Sequence, residues 1–70
     1  MSKIYAVTLD HDKDDYIFNQ RDKANSFLWN CYMSSFPEEN REQRIEAQYE
    51  LNTTSSIHGV GAIYQRWDNQ

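Results

Sequence analysis

The sequence contains few of the residues that crosslink small proteins or interrupt their chains: it has one cysteine, one proline and two glycines. Cys31 alone cannot form an internal disulfide, and no cysteines and histidines have the spacing of a zinc finger. A chain of 70 residues buries only about 60% of the surface that its unfolded form exposes. We therefore expect one small domain over residues 1–70, whose stability depends on its packing or on a partner.

Long hydrophobic runs are also missing. No segment approaches the roughly 18 apolar residues that a membrane span requires. The N-terminal sequence MSKIYAVTLDHD becomes acidic within ten positions, whereas a signal peptide has a longer apolar core and a small-residue cleavage site. A lone cysteine without a crosslink is typical of a reducing compartment. We therefore expect a soluble protein of the cytoplasm without a membrane partner.

Basic charge is scarce, with seven lysines and arginines against 11 aspartates and glutamates and a net charge of −4. Proteins that bind phosphate backbones directly present a basic face, so the charge argues against direct binding of nucleic acid. An enzyme needs a cleft with converging titratable groups, and a chain of this size and composition offers little room for one. We expect no catalytic activity and no cofactor.

The first half of the chain has the pattern of a β-hairpin followed by a helix. Residues 4–9 (IYAVTL) are apolar on both faces, which predicts a strand in the centre of a sheet. Residues 16–18 predict a second strand beyond a polar turn of hairpin length. Asn19 is a suitable N-cap for the helix that follows. The apolar face of that helix consists of Ala24, Phe27, Leu28, Cys31 and Tyr32.

The second half predicts another helix and a last strand. Ser35 and Glu38 match a capping box, which predicts a helix over residues 37–51. Its apolar face is thin and consists of Ile45 and Tyr49, with Ala47 and Leu51 to one side. Residues 52–56 predict a loop and residues 60–67 a strand. The predicted fold class is α+β: a small three-stranded sheet in β-β-α-α-β order, with two helices packed on one face.

The predicted hairpin turn at residues 10–15 (DHDKDD) has the spacing of the start of a calcium-binding loop. Asp10, Asp12 and Asp14 occupy positions 1, 3 and 5 of an EF-hand. The match then fails, because position 6 is Asp15 instead of glycine and position 12 is Arg21 instead of glutamate. We expect no metal site and interpret the segment as a solvated turn.

A thiol nucleophile paired with a histidine base is the other chemistry that the sequence suggests. Cys31, however, lies on the apolar face of the first helix, where a thiol is an inert packing residue. His11 and His58 fall in predicted loops, where solvation is expected. These positions predict no catalytic site.

Four glutamates of the predicted second helix recur at intervals of four residues: Glu38, Glu42, Glu46 and Glu50. Four residues rise about 6 Å along a helix, so the carboxylates form a ridge of negative charge. Its spacing is close to the roughly 6–7 Å between successive phosphates of a nucleic-acid strand. Two interpretations stay open: a solvated helix face, or a mimic of nucleic acid that enters a basic groove.

Aromatic residues are numerous, with five tyrosines, three phenylalanines and two tryptophans. Trp29 lies off the apolar face of the first helix, and Phe36 stands at the junction between the two helices. Exposed aromatic side chains are favoured anchors of protein interfaces, although a small domain also needs some of them for its core.

A short, acidic, aromatic-rich chain of this kind resembles the small inhibitors that bacteriophages encode against host enzymes, anti-CRISPR proteins among them. The resemblance implies non-catalytic, stoichiometric inhibition of a nucleic-acid-handling host protein in the host cytoplasm. The expected partner is a host protein with a basic nucleic-acid-binding groove, and the alternative is a self-associating structural or regulatory module whose open sheet face pairs with a second copy. The expected contact residues are Glu38, Glu42, Glu46 and Glu50, with Asp12, Asp14 and Asp15 as a secondary patch and Trp29 and Phe36 as anchors.

Overall fold

The computed structural model describes residues 2–68. Its elements are β1 (Ser2–Leu9), β2 (Tyr16–Phe18), α1 (Arg21–Ser35), α2 (Arg41–Thr54), β3 (Ser56–Ile57) and β4 (Gly61–Asp68). The fold class is α+β, as predicted. The predicted three-stranded sheet is wrong, because the described residues form four strands in the order β2-β1-β4-β3, and every neighbouring pair is antiparallel. The additional strand, β3, has only two residues, too few for a recognisable alternation of apolar and polar residues.

Strand β1 occupies the central position that its apolar residues on both faces predicted. It pairs with β2 on one side and over its whole length with β4 on the other, from Ser2 opposite Asp68 to Leu9 opposite Gly61. Because side chains alternate along a strand, Val7 faces the helices, whereas Ala6 faces the opposite side of the sheet. Both of these side chains are completely buried.

Helix α1 packs on the sheet with the face that its periodicity predicted. Ala24, Leu28 and Tyr32 are buried, and Phe27 and Cys31 pack against the core from its margin. The predicted N-cap at Asn19 is wrong: the helix begins at Arg21 after Gln20, whose side chain makes no capping hydrogen bond.

Helix α2 begins at Arg41, later than predicted. Its cap is Asn40, whose Oδ1 accepts a hydrogen bond from the Gln43 amide at 2.9 Å, while Gln43 Oε1 accepts one from the Asn40 amide at 2.9 Å. The predicted capping box at Ser35 and Glu38 is wrong because α1 continues through Ser35. The helix also continues past residue 51 to Thr54, so most of the predicted loop at 52–56 is helical.

The apolar face predicted for α2 is also wrong. Ile45 and Tyr49 are 57% and 71% exposed, whereas Ala47 and Leu51 are buried in the core. Within each pair the two residues are one helical turn apart, so the sequence contains two competing apolar stripes. Helix α2 packs against the edge strand β3, with Ala47 and Leu51 in the core cluster, and this packing decides which stripe is buried.

The core is one cluster on the helical face of the sheet. It consists of Val7, Ala24, Leu28, Tyr32, Ala47, Leu51, Ile57, Val60 and Ile63. Both helices contribute to it, in agreement with the prediction that they pack on one face. No helix within residues 2–68 is long and apolar enough to cross a membrane.

Candidate functional site

The acidic residues of α2 do not form the continuous ridge that the spacing predicted. Glu42 and Glu46 are exposed on the helix, whereas Glu38 lies in the turn before it. Glu50 is half-buried, and its carboxylate accepts a hydrogen bond from the backbone amide of His58 at 2.9 Å. Two of the four carboxylates, Glu42 and Glu46, therefore share the exposed helical surface.

The exposed side chains Ile45 and Tyr49 adjoin these two carboxylates. On an α-helix, residues three and four apart are neighbours, so Ile45 lies beside Glu42 and Tyr49 lies beside Glu46. We call these four residues the acidic-apolar surface. The sequence predicted Ile45 and Tyr49 as the apolar face of the helix and so gave no apolar half to the exposed surface, and only the competing stripe of Ala47 and Leu51 could have signalled their exposure.

Carboxylates also line a groove beside α2, and one of them, Glu46, belongs to the acidic-apolar surface as well. Glu39, Glu46 and Glu50 surround a space of about 260 Å³ together with Tyr32 and His58. The Tyr32 hydroxyl donates a hydrogen bond to the Glu39 carboxylate. Burial, that hydrogen bond and the charge of Glu39 raise the pKa of Tyr32 to about 12. Tyr32 therefore keeps its proton to a higher pH than an unperturbed tyrosine does.

Arg44 holds the segment before α2 in place. Its guanidinium donates hydrogen bonds to the backbone oxygens of Phe36, at 3.5 Å, and Pro37, at 3.2 Å. It also lies over the Tyr32 ring, 5.9 Å from its centroid. Arg44 is thus turned toward the connection between the helices and away from the acidic-apolar surface.

The aspartates of the turn at residues 10–15 bind neighbouring strands. Asp12 accepts a hydrogen bond from the Tyr16 hydroxyl at 2.9 Å, and this bond, followed by the charge of Asp12, raises the pKa of Tyr16. Asp15 accepts one from Thr8 at 2.9 Å and forms a salt bridge with Arg66 at 3.1 Å. Asp14 is exposed. Two of the three aspartates in the predicted secondary patch therefore support the hairpin.

The predicted aromatic anchors both lie next to Tyr32. The Trp29 ring centroid is 4.9 Å from that of Tyr32, and the Phe36 centroid is 5.8 Å from it. Trp29 is half-buried and lines a cleft between the helices, whereas Phe36 is 37% exposed at the end of α1. These rings are part of the domain's own packing and retain some exposed surface.

The residues that could suggest nucleophilic or metal chemistry are dispersed. Cys31 is half-buried, and this burial, followed by the charge of Asp12, raises the pKa of its thiol. His11 and His58 are exposed, as predicted for loop positions. Across residues 2–68, no three or more histidine, cysteine or acidic side chains are grouped so that they could hold a metal ion.

No protein-family model matches the chain, and no curated protein or solved structure is significantly similar to it. The functional inference therefore depends on the chain's own surfaces.

Proposed function

We propose that this protein is a non-catalytic inhibitor that binds a nucleic-acid-handling host protein, and that its acidic-apolar surface enters the basic groove of that protein. The observation that carries the proposal is the exposure of Ile45 and Tyr49 next to Glu42 and Glu46 on one face of α2. A helix face that serves only solubility has no need of two large apolar side chains.

The chemistry of this face favours a basic protein partner. Glu42 and Glu46 are one turn apart, about 6 Å along the helix axis, which is close to the spacing of successive phosphates. The net charge of −4 attracts a basic groove over a long range. Tyr49 and Ile45 supply the apolar contact that charge alone lacks, and tyrosine is a favoured anchor in the centre of an interface.

The supporting residues fit a rigid binding face. The capping box at Asn40 and the hydrogen bonds of Arg44 hold the start of α2, and Glu50 holds its end against the His58 backbone. A preorganised helix loses less conformational entropy on binding than a flexible segment does. Inhibition is then stoichiometric, because the helix competes with nucleic acid for one groove.

The test compares two charge reversals of equal size. Wild-type protein, the Glu42→Lys/Glu46→Lys variant and an Asp10→Lys/Asp22→Lys control are immobilised and exposed to a bacterial lysate. Captured proteins are identified by mass spectrometry. Each is then purified and titrated with the wild type in a DNA-binding assay. We expect a nucleic-acid-binding protein that the wild type and the control capture and the α2 variant does not, and whose DNA binding the wild type inhibits.

Two results contradict the proposal: a partner that the α2 variant binds as tightly as the wild type, or a partner whose nucleic-acid binding the protein leaves unchanged. Binding must also weaken with added salt, since exposed charges are screened within about 10 Å at 0.1 M ionic strength. Circular dichroism of both variants checks that the fold is retained.

Self-association is a second candidate, favoured by the sheet face that the helices leave open. Ile17 and Tyr64 lie opposite Ala6 on its two neighbouring strands, and their side chains are 52% and 54% exposed. Together they form an apolar surface over the centre of the sheet. Light scattering of the wild type tests this candidate: a dimer that becomes a monomer in the Ile17→Lys/Tyr64→Lys variant supports it, and a monomeric wild type contradicts it.

A further inference from the structure

Strand β4 has an outer edge that its neighbour β3 covers only in part. Strand β3 pairs with β4 at Gly61 and Ala62 and not beyond them. Among residues 2–68, no other strand lies on that side of β4, since the sheet order is β2-β1-β4-β3. The side chains of residues 65–67 are exposed, so solvent reaches this part of the strand. The outer edge of β4 is therefore accessible to a further strand.

This end of the sheet is a ribbon of two strands. Residues 2–4 of β1 pair with residues 66–68 of β4, and neither segment pairs with another strand of the described chain. The Trp67 side chain is 57% exposed here, with the Lys3 ammonium 5.7 Å from its ring centroid. A ribbon of two strands is only marginally stable in water, and a further strand on its edge stabilises it.

The backbone groups along the edge determine what can bind there. The Ile63 amide points away from β1, because it donates a hydrogen bond to the Ser55 carbonyl at 2.7 Å. Backbone groups of every second residue in a strand point to the same side, so those of Gln65 and Trp67 also point outward. A row of outward amides and carbonyls pairs with an extended chain, which is added to the sheet as another strand. The ligand of this edge is therefore a β-strand.

Charge selects the register in which two copies of β4 can pair. A two-fold axis at Arg66 sets arginine against arginine, and an axis at Asp68 sets aspartate against aspartate; like charges at facing positions destabilise a sheet. An axis at Gln65 sets Trp67 of the second copy against Ile63, whose amide is already hydrogen-bonded. An axis at Trp67 sets Arg66 of each copy against Asp68 of the other, and opposite charges at facing positions stabilise a sheet. Strand β4 is therefore complementary to itself in this register.

Arg66 can form this pair without losing its salt bridge. Its Nη2 donates to Asp15 Oδ2 at 3.1 Å. A guanidinium carries five N–H donors, so others remain for a second carboxylate. Because the backbone groups of Arg66 point toward β1, Arg66 and Asp68 of the second copy would form a non-hydrogen-bonded pair, the kind that brings side chains closest.

We propose that the outer edge of β4 binds β4 of a second copy of this chain, antiparallel and about a two-fold axis at Trp67. The Trp67 amide of each copy donates to the Trp67 carbonyl of the other, and the two four-stranded sheets become one. The proposal goes beyond the inhibitor function and does not depend on it. It also differs from self-association through the open face of the sheet, because the edge and that face are separate surfaces.

The first test measures the oligomeric state of the wild type and locates the contact. We expect a monomer–dimer equilibrium in sedimentation equilibrium experiments. In ¹⁵N NMR spectra recorded at increasing protein concentration, hydrogen exchange of the Trp67 amide should slow as the dimer forms. The Ile17 amide, on the opposite edge of the sheet, is the control and should exchange at an unchanged rate.

The second test uses two charge reversals that identify the register. Arg66→Glu and Asp68→Lys each set like charges at facing positions, so each variant alone should dimerise at least tenfold more weakly than the wild type, about 1.4 kcal/mol. An equimolar mixture of the two variants should recover a heterodimer of near wild-type affinity, because opposite charges then face each other at both positions. Asp15→Asn is the matched control: it removes the salt bridge of Arg66 within the chain and should leave dimerisation unchanged.

A monomeric wild type overturns the proposal, as does a dimer whose two charge variants fail to recover on mixing. A dimer that Ile17→Lys dissociates also overturns it, since that residue lies on the open face, away from the edge of β4. Circular dichroism of each variant checks the fold, and the exchange of the Trp67 amide tests the contact in the wild type alone. The inhibitor proposal is tested through Glu42 and Glu46, so the failure of one proposal is distinguishable from the failure of the other.

Discussion

The Tyr32 hydroxyl donates its hydrogen to the Glu39 carboxylate, and this bond joins the last turns of α1 to the segment that precedes α2. The same ring packs against Trp29 and Phe36 and lies under the Arg44 guanidinium. Tyr32 is therefore the point at which the two helices and their connection meet. A polar group at this place makes the connection sensitive to proton loss.

Tyr32 should make the protein less stable as the pH becomes strongly alkaline. Its pKa rises from the ordinary value of 10.0 to about 12 in the folded protein because of its burial and the Glu39 carboxylate. The unfolded chain therefore loses this proton at lower pH than the folded protein does. The contribution to stability is complete below about pH 10 and is lost as the pH rises through about 12. In urea unfolding across this pH range, the free energy of unfolding of Tyr32→Phe should fall less with rising pH than that of the wild type.

The exposed Tyr49 provides the matched control for Tyr32. Since Tyr49→Phe leaves the buried hydroxyl in place, its stability should depend on pH as the wild type does. Identical pH profiles for Tyr32→Phe and Tyr49→Phe would contradict the assignment.

Asn40→Ala should destabilise the protein by about 1 kcal/mol, because it removes the acceptor for the Gln43 amide at the start of α2. Thermal unfolding measures the loss. Asn19→Ala is the control, since Asn19 precedes α1 without capping it. A larger loss of stability for Asn19→Ala than for Asn40→Ala would indicate that Asn19 caps α1, as the sequence predicted.

Ser55→Gly should stabilise the protein by about 0.5–1 kcal/mol. Ser55 ends α2 with a φ of 58°, a left-handed conformation that glycine adopts without a steric penalty. The substitution also removes the exposed hydrogen bond from Arg21 to the Ser55 hydroxyl, so the gain should be larger when measured in an Arg21→Ala background. Chemical denaturation of the wild type, the two single variants and the double variant gives the stability gain of Ser55→Gly with and without Arg21. A net loss in both backgrounds would argue against strain at Ser55.

Gly61→Ala should destabilise the protein by about 1–3 kcal/mol. A Cβ at this position would overlap the Thr8 carbonyl oxygen and touch Leu9 in the paired strand. Gly59→Ala is the comparison: its φ of 82° strains an alanine, but the nearest atom to its Cβ would be 4.0 Å away on the flexible Phe36 ring. Gly59→Ala should therefore lose only the cost of its backbone conformation, and a loss below about 1 kcal/mol for Gly61→Ala would mean that strand β1 moves to accommodate the added methyl group.

The sequence by itself determined the elements whose signals are local and strong. The apolar residues on both faces of β1 predicted its central position, and the spacing of Ala24, Leu28 and Tyr32 predicted the buried face of α1. These patterns were sufficient because each segment has one apolar face, or two equivalent ones, and no competing arrangement. The positions of the aspartates in an exposed turn followed from the same local pattern.

Only the tertiary structure decided the character of α2. Its sequence contains two apolar stripes one turn long, and two capping sites five residues apart at Ser35 and Asn40. Local patterns rank these alternatives almost equally. The packing of Ala47 and Leu51 into the core selected one stripe, and the extension of α1 through Ser35 selected the cap at Asn40. The exposed Ile45 and Tyr49, and hence the candidate site, exist because burial of Ala47 and Leu51 left the other stripe without a core to join.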